Sequence, residues 1–391
     1  MKAGWQTKRL GDVCEIIKGR KPVLKTVPSK GDLPYLVAKV MRGSAEAEYA
    51  SVEDRNAVTV TETETIIICD GSNSGEVFTG FRGVLSSTMG KISKNAEIDD
   101  AYLRAFLAST FEVFNGAKTG AAIPHLDKEA MYQLQFPLPP LPVQQRIFGI
   151  LDEAFDGIAT AKANAEKNLQ NARALFDSHL QSVFTQRGEG WNEKPLEAAA
   201  SIINGFAFKS GDFSPSAEVK CIKITNVGVR EFVCESDSYL PADFAAKYAP
   251  VSIKSGSIVL ALTRTIISRG LKVAVVPDKF AGALLNQRVA AILTKQNILI
   301  EPFLFAYLST QFVVDYVKER VNTLMQPNLS INDLRSMPIP LPSVHEQEQI
   351  TNQIFALRNE TQRLESLYQR KLAALAELKK SLLHQAFAGK L

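Results

Sequence analysis

The sequence predicts an α+β chain built twice over: two β-rich domains separated by two long helices that form an antiparallel coiled coil, the halves related as a pseudo-twofold internal repeat. Three observations carry this expectation. Adding 203 to each residue number from Pro124 to Phe184 lays that stretch on the chain's end without a gap. Pro124-His125-Leu126 falls on Pro327-Asn328-Leu329, Pro137-Leu138-Pro139 on Pro340-Leu341-Pro342, Gln144 on Gln347, and Phe184 on Phe387. A shift of 186 likewise sets Trp5 to Leu10 against Trp191 to Leu196. Each half also opens with short β-branched runs divided by Gly, Pro, Asn and Ser, and closes with a long stretch of 3-4 apolar spacing.

In the first half the β-branched runs are Val13 to Ile17, Tyr35 to Val40, Thr65 to Cys69 and Gly90 to Ser93. In the second they are Val219 to Ile224, Ser257 to Leu262, Lys272 to Val276 and Val289 to Leu293. Helical spacing follows over Asp100 to Phe114 and over Glu301 to Val321. The tracts Phe136 to Pro142 and Met337 to Pro342 come next, and alternating proline suits neither a helix interior nor a central strand. They read as stiff extended entries into the long helices, Val143 to Thr185 and Val344 to Phe387.

The seam of the first long helix is read as Ile147, Leu151, Ala154, Ile158, Ala161, Ala165, Ala172 and Leu175. That of the second is Ile350, Ile354, Leu357, Leu364, Tyr368, Leu375, Leu378 and Leu382. Asn168, His179, Thr361 and Lys371 are the polar residues on these stripes and set register. Each helix is too long and too narrowly apolar to bury itself in a small domain, so the two bury each other. With about 140 residues of chain between them, antiparallel pairing needs the least linker. The resulting organisation is domain 1–136, spacer 137–190, domain 191–336 and spacer 337–391.

Composition narrows the function. With 391 residues and 46% hydrophobic content, two or three domains can each bury a core. No apolar run suits a membrane span and the first residues lack a signal-peptide core, so the chain reads as cytoplasmic. Cys14, Cys69, Cys221 and Cys234 have neither metal-ligand spacing nor neighbouring histidines, so they are expected as reduced thiols with no metal. The net charge of +4 is spread as 0, −1, +3 and +2 over the four segments, so any contact with nucleic acid depends on local clusters.

Enzyme readings fail on the residues. No Asn/Asp-Pro-Pro-aromatic motif for a flipped adenine is present, and the glycines of Gly83 to Gly90 are too far apart for a phosphate loop. Asp152-Glu153 resembles a helicase box but lies inside the long helix.

Two β-rich domains, each followed by a Pro-Leu-Pro or Pro-Ile-Pro tract, a Gln-rich helix start (Gln144-Gln145-Arg146-Ile147; Glu346 to Ile350) and a long helix, resemble the specificity subunit of type I restriction-modification systems. The resemblance covers the whole chain and includes Asn204 to Ser210, Gly71 to Gly75 and Gln326 to Leu329. It implies two target recognition domains and a bipartite double-stranded DNA target, one half-site per domain, with a spacer set by the coiled coil. It also implies two methylation subunits as partners, joined by restriction subunits in the full complex. S-adenosylmethionine, and ATP with magnesium, belong to those partners, and this chain has no catalytic residue. The first domain departs from the pattern, carrying Ile17 to Pro22 where the second has Gly-Phe-Ala-Phe-Lys-Ser.

Base edges and phosphates are met by Arg, Lys, Asn, Gln, Ser and Thr on strand-end loops. The first domain offers Lys18, Arg20 and Lys21; Lys39 and Arg42; Ser72, Asn73 and Ser74; and Ser86, Ser87 and Thr88. The second offers Lys209 and Ser210; Lys223, Thr225 and Asn226; Arg264, Thr265, Ser268 and Arg269; and Asn286, Gln287 and Arg288. Arg264, Arg269 and Arg288 lead for base contacts. His125 aligns with Asn328 rather than with another histidine, and reads as a surface residue. The competing reading of the whole chain is a protein-only coiled-coil scaffold without DNA sequence specificity; a second is an enzyme with an unrecognised site.

Overall fold

The computed structural model describes residues 5–116, 125–235, 238–268, 270–321 and 328–391. The chain divides into two compact units, Met1–Glu166 with Gln369–Leu391, and Lys167–Tyr368.

The first unit opens with β1 (Gln6–Arg9), α1 (Leu10–Val13), β2 (Cys14–Lys18), β3 (Asp32–Leu36), α2 (Ala38–Met41) and β4 (Tyr49–Ser51). It continues through β5 (Thr59–Val60), β6 (Ile66–Ile68), β7 (Val77–Phe78), β8 (Gly83–Leu85) and β9 (Met89–Lys94) to α3 (Asp100–Gly116). Then come α4 (Lys128–Tyr132), β10 (Gln135–Leu138) and the start of α5 (Leu141–Thr185). Two four-stranded sheets result, ordered β2-β9-β6-β7 and β4-β3-β8-β5. The run expected as a strand from Tyr35 to Val40 stops at Leu36 and turns into α2, because Met41 and Arg42 donate back to Val37 and Ala38.

The second unit repeats this plan with β11 (Asn192–Pro195), α6 (Leu196–Ala199), β12 (Ala200–Asn204), β13 (Val219–Ile222), β14 (Tyr239–Leu240), α7 (Phe244–Lys247) and β15 (Ser252–Ile253). There follow β16 (Ile258–Ala261), β17 (Ile266–Ile267), β18 (Gly270–Leu271), β19 (Val273–Val275), β20 (Ala283–Leu285) and β21 (Val289–Thr294). Its sheets are β12-β21-β16-β19 and β14-β13-β20-β15, and β13 runs parallel to β20 as β3 does to β8. The remaining elements are α8 (Glu301–Leu308), α9 (Gln311–Arg320), α10 (Ile331–Arg335), β22 (Pro338–Leu341) and α11 (Val344–Phe387). The single helix expected over Glu301 to Val321 is thus two. The Ser309 and Thr310 hydroxyls donate to the carbonyls of Phe305 and Tyr307 at the break between α8 and α9.

The proline tracts are extended, and they are also paired. β10 lies antiparallel to β1, with Thr7 opposite Pro137, and β22 lies antiparallel to β11, with Glu193 opposite Pro340. A two-stranded ribbon leaves one edge of each strand unpaired, which is where a residue without an N–H is tolerated. Pro142 then occupies the first turn of α5, where its missing donor costs nothing.

A buried glutamine locks each long helix to its own domain. The Gln144 amide donates to the carbonyls of Glu97 and Pro139 and accepts from the Asp99 N–H at 2.9 Å. Gln347 does the same with Ile298, Pro342 and the Ile300 N–H at 3.0 Å. Both side chains are fully buried, so each satisfies three backbone groups that water cannot reach.

Within the first unit the opening of α5 (Ile147, Leu151) shares a core with the close of α11 (Leu383, Ala386). Within the second, the close of α5 (Leu180, Phe184) shares one with the opening of α11 (Ile354, with Ile350 against it). The two helices therefore run antiparallel. Arg173 on α5 pairs with Glu365 on α11 at 2.9 Å.

The seam differs from the expected one toward the ends of the helices. Ile147, Leu151, Ala165 and Ile354 are buried, and Ile158, Ile350, Leu357, Leu364, Leu375 and Leu382 are half-buried. Leu175 and Leu378, by contrast, are 53% and 47% exposed. Ala172, Phe176 and Leu180 take the inward positions on α5, and Leu372, Leu375, Leu383 and Ala386 on α11. Each residue turns the helix by about 100°, so a position one step off the inward face, as Leu175 is beside Phe176, is swung toward solvent. For the same reason Asn168 and Lys371 face solvent, while Thr361 is buried and returns its hydroxyl to the carbonyls of Leu357 and Arg358.

Candidate nucleic-acid interface

In each unit five segments converge at one set of strand ends. In the first unit they are the chain after β2, the chain after β3, residues 70–75 after β6, the β8–β9 turn, and His125 ahead of α4. Four backbone bonds tie them together: Gly19 N to Met89 O at 2.8 Å, Ser86 N to Leu36 O at 3.1 Å, Cys69 N to Thr88 O at 2.8 Å, and Leu126 N to Cys69 O at 2.8 Å. The second unit makes the same four: Gly205 N to Val289 O at 3.3 Å, Asn286 N to Ile222 O at 3.0 Å, Leu262 N to Arg288 O at 2.9 Å, and Leu329 N to Leu262 O at 2.9 Å.

Glycine is required at one point in each frame. A Cβ on Gly19 would sit 2.2 Å from the Ser86 carbonyl oxygen, and one on Gly205 2.1 Å from that of Asn286. This places Lys18-Gly19-Arg20-Lys21 opposite Asn204-Gly205-Phe206-Ala207, so the first domain's departing segment occupies the same structural position as the second domain's motif. Phe208 is buried, whereas Phe206 is half exposed and packs on Tyr248 with ring centres 4.5 Å apart.

On the first unit's surface Asp70 organises the basic groups. Its carboxylate accepts from Lys18 at 2.7 Å and from His125 Nδ1 at 2.8 Å. Partial burial pushes the Asp70 carboxyl upward, but the hydrogen bonds from Lys18 and His125, with the Lys18 charge, outweigh it and hold the carboxyl below the usual range. Arg42 is ion-paired to Glu76 and, with the Asn73 amide correctly oriented, donates to the Asn73 oxygen at 2.8 Å. Arg20, Lys21, Lys39, Ser72, Ser87 and Thr88 are exposed. Ser74 and Ser86 are not: both are buried, and the Ser86 hydroxyl bonds that of Thr88 at 2.8 Å. They shape the loops rather than line the surface.

In the second unit Arg264 stands exposed at the loop after β16, in the left-handed region at φ 50°. A side chain held there costs about 1–2 kcal/mol, a strain characteristic of functional loops. Lys272 sits close by: burial lowers its amine below the usual value and the Arg264 charge adds to this, while its Nζ donates to the Ile224 carbonyl. The sequence marked Lys272 only as the start of a β-branched run; it lies between β18 and β19 and reaches the site through the fold.

Lys209, Ser210, Thr225, Ser268, Gln287 and Arg288 are exposed and Asn286 is half-buried. Lys223 lies over the Phe213 ring at 3.5 Å. Asn226 and Thr265 are fully buried; Asn226 braces its turn by accepting from Lys223 N and donating to Val233 O. Arg269 falls outside the described residues. Among those described, no group of His, Cys, Asp and Glu could hold a metal ion, and no helix is long and apolar enough to cross a membrane.

Residues 2–170 and 188–371 each match the family model for the type I restriction modification DNA specificity domain. The chain belongs to this family. It is 31% identical over 404 residues to the type I restriction enzyme MjaVIII specificity subunit of Methanocaldococcus jannaschii, covering 99% of this chain and 93% of that one. It is also 20% identical over 393 residues to the EcoBI specificity subunit of Escherichia coli, covering 93% and 81%. Among solved structures, a chain from work on complex assembly and conformational transition of the type I R-M system superposes with a TM-score of 0.77 at 17% identity, covering 100% of this chain and 99% of that one. The HsdS subunit from Thermoanaerobacter tengcongensis gives 0.62 at 16% identity, covering 100% and 98%. These two likenesses speak for the specificity-subunit fold.

Proposed function

We propose that this specificity chain is a non-catalytic reader of a two-part DNA target, with residues 1–136 reading one half-site and 191–336 the other. The spacer segments 137–190 and 337–391 act as a ruler between them. Two methylation subunits and, for cleavage, restriction subunits complete the assembly. Methyl transfer from S-adenosylmethionine to adenine, and chemistry driven by ATP with magnesium, take place in those partners.

One observation carries the reading. The same hydrogen-bonded frame presents different side chains in its two copies: Lys18 against Asn204, Asp70 against Thr263, Thr88 against Arg288 and His125 against Asn328. A shared frame docks each copy on the duplex in the same way, while base specificity follows the side chains that reach the groove. Two different side-chain sets therefore read two different half-sites. The test is to purify the chain with its methylation subunits and select from a random duplex pool. Enrichment of two unlike motifs at a fixed gap is expected; a protein-only scaffold enriches none.

A further inference from the structure

His125 was a surface histidine by sequence, and the fold gives it a constrained position in the first unit's strand-end cluster. The residue bridges Asp70 in antiparallel fashion, as Asn328 bridges Thr263 in the second unit. Its side chain is 72% exposed although its backbone is anchored by the next residue, Leu126, on the Cys69 carbonyl. Both copies thus place a side chain able to read a base at one position on the same frame.

The Asp70 carboxylate can only accept, so the hydrogen on the His125 ring lies on Nδ1 in the neutral form and Nε2 is left as an acceptor. Among the described residues Nε2 has no partner. Asp70 is held in turn by Lys18, whose ammonium sits beside the same loop. The arrangement is an oriented acceptor next to a lysine ammonium, on a loop of serines and asparagine. In the major groove such an acceptor matches the exocyclic amino group of adenine or cytosine.

We propose that His125 is a specificity-determining residue of the first half-site, reading a base amino group through Nε2, and that Asp70 is its positioning residue. The proposal rests on the DNA-reading assignment above and adds to it one residue, one atom and a class of base edge.

The experiment uses the full chain in complex with its methylation subunits, selected against a duplex pool randomised over both half-sites. Wild type enriches a two-part motif; if it enriches none, the DNA-reading assignment falls and this proposal falls with it. Given a wild-type motif, His125→Ala is expected to lose preference at one or two A or C positions of the first half-site by about 5- to 150-fold. The second half-site, the gap and the thermal unfolding midpoint stay as in wild type. Asp70→Asn, whose amide can donate to Nδ1 and so move the ring hydrogen to Nε2, is expected to weaken preference at those same positions. A His125→Ala complex that keeps every base preference, or binds all sequences uniformly more weakly, overturns the proposal.

Discussion

Inserting four helix-favouring residues after Ala165 and four after its repeat equivalent Tyr368 tests the ruler directly. Both long helices, of 45 and 44 residues, would gain one turn. At 1.5 Å per residue the addition is about 6 Å, and at 3.4 Å per base pair it corresponds to about 1.8 base pairs of spacer. The inserted turn rotates the seam by about 40°, the mild perturbation of a stutter, so apolar contacts such as those of Ala165 and Ala172 survive. Two extra base pairs rotate the distant half-site by roughly 70°, which leaves roughly 30° for loops to absorb. Sequencing a duplex pool selected by the complex reads the outcome. The expected motif has both halves unchanged and a gap longer by one or two base pairs. An unchanged gap, or altered half-sites, refutes the idea that helix length sets the spacing. A two-residue insertion at the same points is the control, since it turns the apolar stripe by roughly 200° and is expected to abolish assembly.

Arg264→Ala is expected to relax the second half-site alone by roughly 1–3 kcal/mol if the guanidinium makes a bidentate guanine contact, read from motif enrichment. Gln347→Leu orphans the Ile298 and Pro342 carbonyls and the Ile300 N–H. It is expected to destabilise the second unit by about 2–4 kcal/mol and leave hydrogen exchange in the first unit unchanged. Burial pushes the Cys14 thiol up to about 11 and the Cys221 thiol up to about 12, and raises that of Cys69 as well. A group at about 11 is only about 0.1% thiolate at pH 8, so a native-state thiol titration is expected to label Cys234, which is half-buried, well ahead of the other three.

The repeat, the two long helices and the strand-end placement of the candidate loop residues were legible in the sequence. Each follows from a local or periodic signal: matched registers such as Gln144 and Gln347, unbroken 3-4 spacing, and Gly and Asn punctuation between β-branched runs. Burial of individual loop residues was not legible. Asn226, Thr265, Ser74 and Ser86 carry the same side-chain chemistry as their exposed neighbours and are buried nonetheless, because residue type alone does not set which side of a loop faces the interior.

By itself the sequence determined a duplicated α+β chain with paired helices, since hydrophobic periodicity and internal register depend on residue order alone. Tertiary structure decided which seam positions face inward, leaving Leu175 and Leu378 exposed because burial depends on which side of each helix meets its neighbour. It also decided that Lys18, Asp70 and His125 meet, although more than fifty residues separate Asp70 from both partners. Side chains so far apart acquire a common orientation only after strand pairing has fixed the backbones that carry them.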